Sequence, residues 1–233
     1  SVFDLSKSSF EFKKGPIFSN LILIDEINRA PAKTQAALFE VMEERQITID
    51  GTRNQLDTPF LVIATQNPIE QEGTYRLPEA QLDRFLFKIS IDYPKLDEEI
   101  LIIQREHLLQ NQGKLEAIKT ILSAEEIKKY QALIKEIRVE QNLLEYIARI
   151  VVNTRENAFL YLGASPRASI AILNAAKGFA AIRGRDFVTP EDIKEATVPV
   201  LQHRVIVAPE REMEGITSSE IIKQIIETVE IPR

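Results

Sequence analysis

Four apolar residues in a row, Leu21 to Ile24, run without a polar break into two adjacent carboxylates, Asp25 and Glu26. A strand with one face in water alternates apolar and polar positions. This one does not, which predicts a parallel-sheet strand covered on both faces. Phe60 to Ala64 repeats the pattern and ends in Thr65-Gln66-Asn67-Pro68. Phe85 to Ile91 predicts a third strand, with polar residues at Lys88 and Ser90. Between the first two, Ala32 to Glu44 carries Ala36, Leu38, Phe39, Val41 and Met42 on a broad helical face. Pro31 suits the first turn of that helix, where a missing N–H costs little. Gln46 to Ile49, then Asp50-Gly51, then Thr52 onward predicts a β-hairpin. Upstream, Phe10-Glu11-Phe12 alternates before a turn at Gly15-Pro16.

Beyond Pro94 strand signals nearly vanish. Helical periodicity covers Asp97 to Gln110, Glu125 to Ile137, Leu143 to Asn153, Pro166 to Ile182 and Pro190 to Gln202, with a shorter stretch at Ser219 to Thr228. The starts are chemically marked. Ser123 with Glu126 three residues on forms a capping box. Ser165-Pro166 and Thr189-Pro190 each set a cap before a helix-opening proline, a cap being worth about 0.5–2 kcal/mol. The pattern predicts an α/β part over residues 1–93, containing a parallel-sheet core, and an all-α part over residues 94–233.

Composition narrows the chemistry. A chain of 233 residues is long enough for one or two domains with a real core. With no cysteine, disulfides and thiolate metal sites are excluded, and two distant histidines, His107 and His203, argue against zinc. A net charge of −6 and the lack of a basic, aromatic-interleaved stripe argue against nucleic acid as a partner. No apolar run reaches the length of a membrane span, and nothing resembles a signal peptide.

The paired acids are the first chemical signal. In open parallel sheets ligands collect at the carboxyl ends of the strands. Two carboxylates about 4 Å apart repel by about 4 kcal/mol at an effective dielectric near 20. They persist together if a cation compensates them or if they point apart. Phosphoryl chemistry uses both, one acid supporting Mg²⁺ and the other orienting an attacking water. The plainer alternative is an acid pair capping the next helix. Asn67, at the end of the second strand, can hold a water or a γ-phosphate without adding charge; alternatively it is a turn residue before Pro68. Arg84, in LPEAQLDRF, is either paired with Asp83 or Glu79 or presented outward to a neighbouring subunit's nucleotide. Arg167, in GASPRAS, stands in the first turn of a capped helix, a position that already favours anions.

Taken together, LILIDEINRA, TQNP, LDRF and GASPRA resemble, in order and spacing, the Walker B strand, sensor 1, arginine-finger segment and sensor 2 of the MoxR-type AAA+ ATPases. VTPEDIKEATVPVLQHRV is similar to that family's last lid segment. The resemblance implies that Asp25 supports Mg²⁺, Glu26 is the catalytic base, Asn67 is sensor 1, Arg84 acts in trans as the finger and Arg167 is sensor 2. It further implies ATP and Mg²⁺ as cofactors, a cytoplasmic homo-oligomer in the form of a hexameric ring, and chaperone-like work or metal insertion on client proteins, often ones with von Willebrand factor A domains. Magnesium-chelatase subunits share much of the pattern. A non-catalytic assembly or partner-docking fragment is the alternative from another class.

One family element is missing. No G-x-x-x-x-G-K-S/T motif occurs, and the one Gly-Lys pair, Gly113-Lys114, is followed by Leu115. The sequence reads as truncated ahead of Ser1 and is expected to hydrolyse no ATP alone, since backbone N–H groups and a lysine that hold the phosphates are absent. By the family's sheet order, the lost first strand lies between the third strand here and the Asn67 strand. Its loss is expected to leave backbone edges and apolar surface open.

Overall fold

The computed structural model describes residues 2–4, 8–49, 51–67, 77–108 and 119–232. Two short strands, β1 (Val2–Asp4) and β2 (Ser9–Glu11), form an antiparallel pair. Then β3 (Leu21–Ile24) leads through one 3-10 turn at Ile27–Arg29 into α1 (Ala32–Glu44). The helix stops at Arg45, whose φ of 55° is left-handed and whose N–H returns to the Val41 carbonyl. The expected hairpin follows as β4 (Gln46–Ile49) and β5 (Thr52–Gln55), with Gly51 at φ 77° where a side chain would be strained. Asp50, the other turn residue, lies outside the described residues.

The strand β6 (Leu61–Ala64) pairs with β3 in parallel, from Leu21 opposite Leu61 to Ile24 opposite Ala64. Asn20 anchors that register: its amide donates to the Pro59 carbonyl at 2.7 Å, and its own carbonyl accepts from the Leu61 N–H at 2.8 Å. One face of the pair is covered by α1. Ile24 and Ala64 pack against Ile27, Phe39 and Leu77, while Ile22 and Val62 pack against Val41, Leu56 and Phe60. The other face departs from expectation. Leu21 and Leu23 remain 67% and 69% exposed, so the run of four apolar residues is not covered on both sides among the described residues.

A four-residue helix, α2 (Glu79–Leu82), then delivers the chain to Asp83 and Arg84. The third predicted strand does not form. Residues 85–91 bend at Phe85-Leu86 and join no ladder among the described residues, and Ile89 and Ile91 stand in solvent. Alternating polarity prepares a segment for a sheet, but only a neighbouring strand satisfies its N–H and C=O groups.

The remainder is helical as predicted. It comprises α3 (Leu96–Leu108), α4 (Ala124–Glu136), α5 (Gln141–Glu156), a strand β7 (Leu160–Leu162), α6 (Pro166–Ile182), α7 (Pro190–Leu201), a two-residue strand β8 (Ile206–Val207), α8 (Pro209–Met213) and α9 (Ser218–Thr228). Residues 109–118, including Gly113-Lys114, lie outside the described residues, as do Pro68 and the end of the helix predicted to reach Gln110. The Ser123–Glu126 capping box is present, and a second, Thr217–Glu220, opens α9. The β7–β8 pair had no legible signal in its short segments.

The main core joins α5, α6, α7 and α9 through Ile150, Ile172, Ile193, Val200, Ile221 and Ile222, all fully buried. Ala168, Ala171, Ala175, Ala176 and Ala180 make the buried stripe of α6, which lets its neighbours approach closely. At Gly163, just before α6, a Cβ would meet the Arg155 backbone at 2.6 Å, so glycine is required. Asp192 holds the start of α7: it accepts from the Thr189 N–H at 2.9 Å and from Arg183 and Arg185. Burial alone would raise its pKa, but these donors outweigh burial and hold it at about 2. No helix among the described residues is long and apolar enough to cross a membrane.

Candidate functional site

Because β3 and β6 are parallel and in register, the residues that follow Ile24 and Ala64 leave the sheet side by side. The Thr65 N–H donates to the Ile24 carbonyl at 2.9 Å, and the Ile27 N–H donates to the Thr65 carbonyl at 3.0 Å. Between these bonds sits one hydroxyl. Thr65 Oγ1 donates to Asp25 Oδ1 at 2.5 Å and accepts from the Glu26 N–H at 2.9 Å. It therefore fixes both acids from the opposite strand.

Glu26 itself has φ 48° and ψ 53°, a left-handed conformation that costs a non-glycine residue about 1–3 kcal/mol. The two carboxylates have different partners. Asp25 stays exposed beside Thr65, while Glu26 accepts from Arg29 Nε at 2.9 Å. One of the two remedies for adjacent charge is thus in place, a nearby cation. Asn67 joins the same end of the sheet, its carbonyl accepting from Asn28 Nδ2 at 3.3 Å. Asn28 Oδ1 is buried there without a hydrogen-bond partner among the described residues.

These residues suit a magnesium nucleotide. Mg²⁺ keeps several waters and takes one or two protein carboxylates alongside phosphate oxygens, so one exposed acid is enough. No cluster of three or more potential ligands occurs among the described residues. Asp25 is the residue that would hold the ion.

The two arginines meet elsewhere. Arg84 pairs through Nη1 with Glu43, near the end of α1, and donates from the same nitrogen to the Phe39 carbonyl at 3.1 Å. Arg167 reaches the other oxygen of Glu43 at 3.0 Å. Thus Asp25, Glu26 and Asn67 form one group, and Arg84 with Arg167 forms another around Glu43. Neither Asp83 nor Glu79, the partners weighed from sequence for Arg84, is its ion pair.

Asp83 serves the helical part instead. Its carboxylate accepts from Arg204 Nε at 2.8 Å and from the Ser165 hydroxyl at 3.0 Å. Ser165 caps α6 by accepting from the Arg167 N–H at 3.2 Å, so the cap and the Arg84 segment share one contact. Arg204 also donates to the carbonyls of Asp83 at 3.0 Å, Phe85 at 2.5 Å and Leu86 at 3.1 Å, flanking Arg84 on both sides. Burial lowers the Arg204 pKa from its ordinary value, and Asp83 opposes that fall. His203 beside it is driven down to about 4, first by burial and then by the Arg204 charge. A cleft of about 490 Å³ opens at this junction, lined by Gln66, Asp83, Ser165, Gln202 and His203 among others.

Sequence reading missed Thr65, Glu43, Asp83 and Arg204 as site residues. Thr65 and Asp83 adjoin motifs that were legible, one two residues before Asn67 and the other next to Arg84. Glu43 carried only a faint signal, one helical turn after Phe39.

A parallel strand pair whose ends carry Asp25-Glu26 and Asn67, followed by a helical bundle, is the arrangement of the AAA+ class. Comparison with known proteins agrees. Residues 1–87 match the ATPase family associated with various cellular activities (AAA), and residues 152–225 match the AAA lid domain. The chain is 42% identical to YeaC of Bacillus subtilis (strain 168), itself uncharacterized, over 232 residues that span 100% of this chain and 72% of YeaC. It is 41% identical to the chaperone MoxR1 of Mycobacterium tuberculosis over 241 residues, spanning 100% of this chain and 63% of that protein. A crystal structure of a candidate ATPase from Cytophaga hutchinsonii superposes with a TM-score of 0.91 at 42% identity, covering 100% of this chain and 72% of the other. The chain belongs to the MoxR family of AAA+ ATPases.

Proposed function

We propose that this chain works within an ATP-driven remodelling machine that hydrolyses Mg·ATP at contacts between identical subunits of a ring, a hexamer in the family it resembles. Glu26 orients the attacking water, Asp25 supports the metal, and Asn67 reads the γ-phosphate. Bound Mg²⁺ neutralises charge on the phosphate oxygens. Arg84 and Arg167, gathered apart from the acids, stabilise charge on a nucleotide held by the neighbouring subunit. The observation that carries this reading is the Thr65 hydroxyl tied to Asp25 and to the Glu26 N–H across two paired strands.

The work done is chaperone-like: remodelling of partner proteins or their maturation by metal insertion, with clients that include von Willebrand factor A domains. The name of MoxR1 as a chaperone supports the first part, as does an acidic chain without a nucleic-acid stripe. Residues 1–233 contain no phosphate-loop motif, and the expected outcome for them alone is no measurable ATP turnover.

The test is steady-state ATP hydrolysis by the full-length protein against its Glu26→Gln variant. Turnover is expected to fall by about 10²–10⁴-fold, the usual share of a general base, with nucleotide binding retained. Equal turnover in the two proteins would refute the assignment.

A further inference from the structure

The carboxylate of Glu43 joins two guanidiniums that come from distant parts of the chain, Arg84 after α2 and Arg167 in the first turn of α6. We infer that Glu43 is a positioning residue for hydrolysis, yoking Arg84 and Arg167 into one paired-guanidinium cradle for the phosphate of a nucleotide held by a neighbouring copy. The inference deepens the ATPase reading above and rests on it.

Glu43 lies in the last turn of α1, where the helix dipole is negative and a carboxylate is disfavoured. Its presence there is accounted for by the two cations it faces. Conversely, two guanidiniums held near one point repel each other. A carboxylate offering one oxygen to each cancels much of that repulsion and leaves the trio with one net positive charge, still attractive to phosphate.

The backbones behind both arginines are already fixed. Arg204 grips the carbonyls of Asp83 and Phe85 on either side of Arg84. The Ser165 cap holds the Arg167 N–H and is itself tied to Asp83. What remains adjustable is the direction of two long side chains, which Glu43 sets for Arg167 and, together with the Phe39 carbonyl, for Arg84. Each guanidinium has five N–H donors, of which Glu43 engages those of a single nitrogen on each arginine, so donors remain for a phosphate. The trio is also open to a partner: the side chains of Arg84, Arg167 and Glu43 are 29%, 55% and 41% exposed.

The experiment compares full-length wild type with Glu43→Gln and Glu43→Asp in steady-state ATP hydrolysis. For Glu43→Gln, kcat is expected to fall about ten- to a hundredfold, as for reacting groups displaced by about 1 Å. KM is expected to stay within about twofold, because ground-state binding is untouched. Glu43→Asp recovers part of the loss. On an Arg167→Ala background Glu43→Gln costs less than it does alone, since the two act through one contact. Wild-type kcat in Glu43→Gln, a loss confined to KM, or full additivity with Arg167→Ala overturns the inference. A raised kcat also overturns it, because Glu43 would then be withholding the arginines. If Arg84→Ala keeps wild-type turnover, the trans-arginine reading fails and takes this one with it; if Arg84→Ala is inactive while Glu43→Gln is unimpaired, the inference alone falls.

Discussion

Arg204 holds Asp83 twice, at the carboxylate (2.8 Å) and at the backbone carbonyl (3.0 Å), across 121 residues of chain. The guanidinium is almost wholly buried, with 3% of its side chain exposed. Its contacts to Phe85 and Leu86 extend the grip past Arg84, so a residue of the helical part splints the segment that carries Arg84.

Removal of this splint is expected to be costly. Breaking a buried ion pair from one side leaves an uncompensated charge and typically costs about 3–5 kcal/mol. Arg204→Ala should therefore lower unfolding stability by that order in urea titration. Arg204→Lys should recover only part, because an ammonium cannot bridge several carbonyls in one plane. A loss below 1 kcal/mol, the range of exposed pairs, would show that the contact is not closed in solution.

His203 gives the same junction a pH dependence. Its pKa falls from 6.5 to about 4 through burial and the Arg204 and Lys88 charges, against Asp83 and the Phe85 carbonyl, which favour the proton. Between those values the unfolded chain takes up a proton that the native chain refuses, so stability declines as pH falls from 6.5 to about 4 and is unaffected above that window. The total is on the order of 3 kcal/mol. The difference in unfolding free energy between wild type and His203→Gln should change across this interval and flatten outside it. Asp192 acts lower down: its carboxylate, held at about 2 against an ordinary 3.8, contributes stability that is lost as pH falls through that lower range.

Thr65 is predicted to matter for turnover more than for stability. Thr65→Val keeps the shape and deletes the hydroxyl that serves Asp25 and the Glu26 N–H. Both partners are near solvent, so the stability loss should be about 0.5–1.5 kcal/mol, the net worth of an ordinary hydrogen bond. ATP turnover in the full-length protein should drop about tenfold or more as the acids lose their registration. Thr65→Ser should restore it. Unchanged turnover in Thr65→Val would detach the hydroxyl from the chemistry.

Legibility followed sequence distance. The helices from α4 onward, the five-residue α8 excepted, were readable because their caps and periodicity are local, and α6 runs from Pro166 to Ile182 as the spacing predicts. The adjacency of the strands that end in Asp25-Glu26 and Asn67 was readable too, since two apolar strands ending in polar residues imply one shared edge. Glu43 and Arg204 were not. Their meaning depends on partners 41 and more residues away (84 − 43 = 41), and no local pattern of a helical glutamate or a lid arginine names those partners. Phe85 to Ile91 failed for a related reason: its own residues favour a strand, but pairing is supplied by another segment, and none pairs with it among the described residues.

The open face of β3 and β6 yields the last prediction. Leu21, Leu23, Leu61 and Ile63 are each more than half exposed on two adjacent strands, forming a contiguous apolar patch where isolated exposed residues would be unremarkable. Among the described residues this pair has no third strand, so its outer edges also offer unpaired backbone groups. Residues 1–233 made alone should therefore self-associate with rising concentration in sedimentation velocity. Leu23 and Ile63 are direct cross-strand partners, so Leu23→Lys with Ile63→Glu places opposite charges face to face on the patch without disturbing the covered side. The double variant should sediment as a monomer at concentrations where the parent associates, with stability changed by less than about 1 kcal/mol because both positions face solvent. Equal association in the two proteins would move the sticky surface away from this sheet, and the exposed apolar residues of α3, such as Ile103, would be the next to substitute.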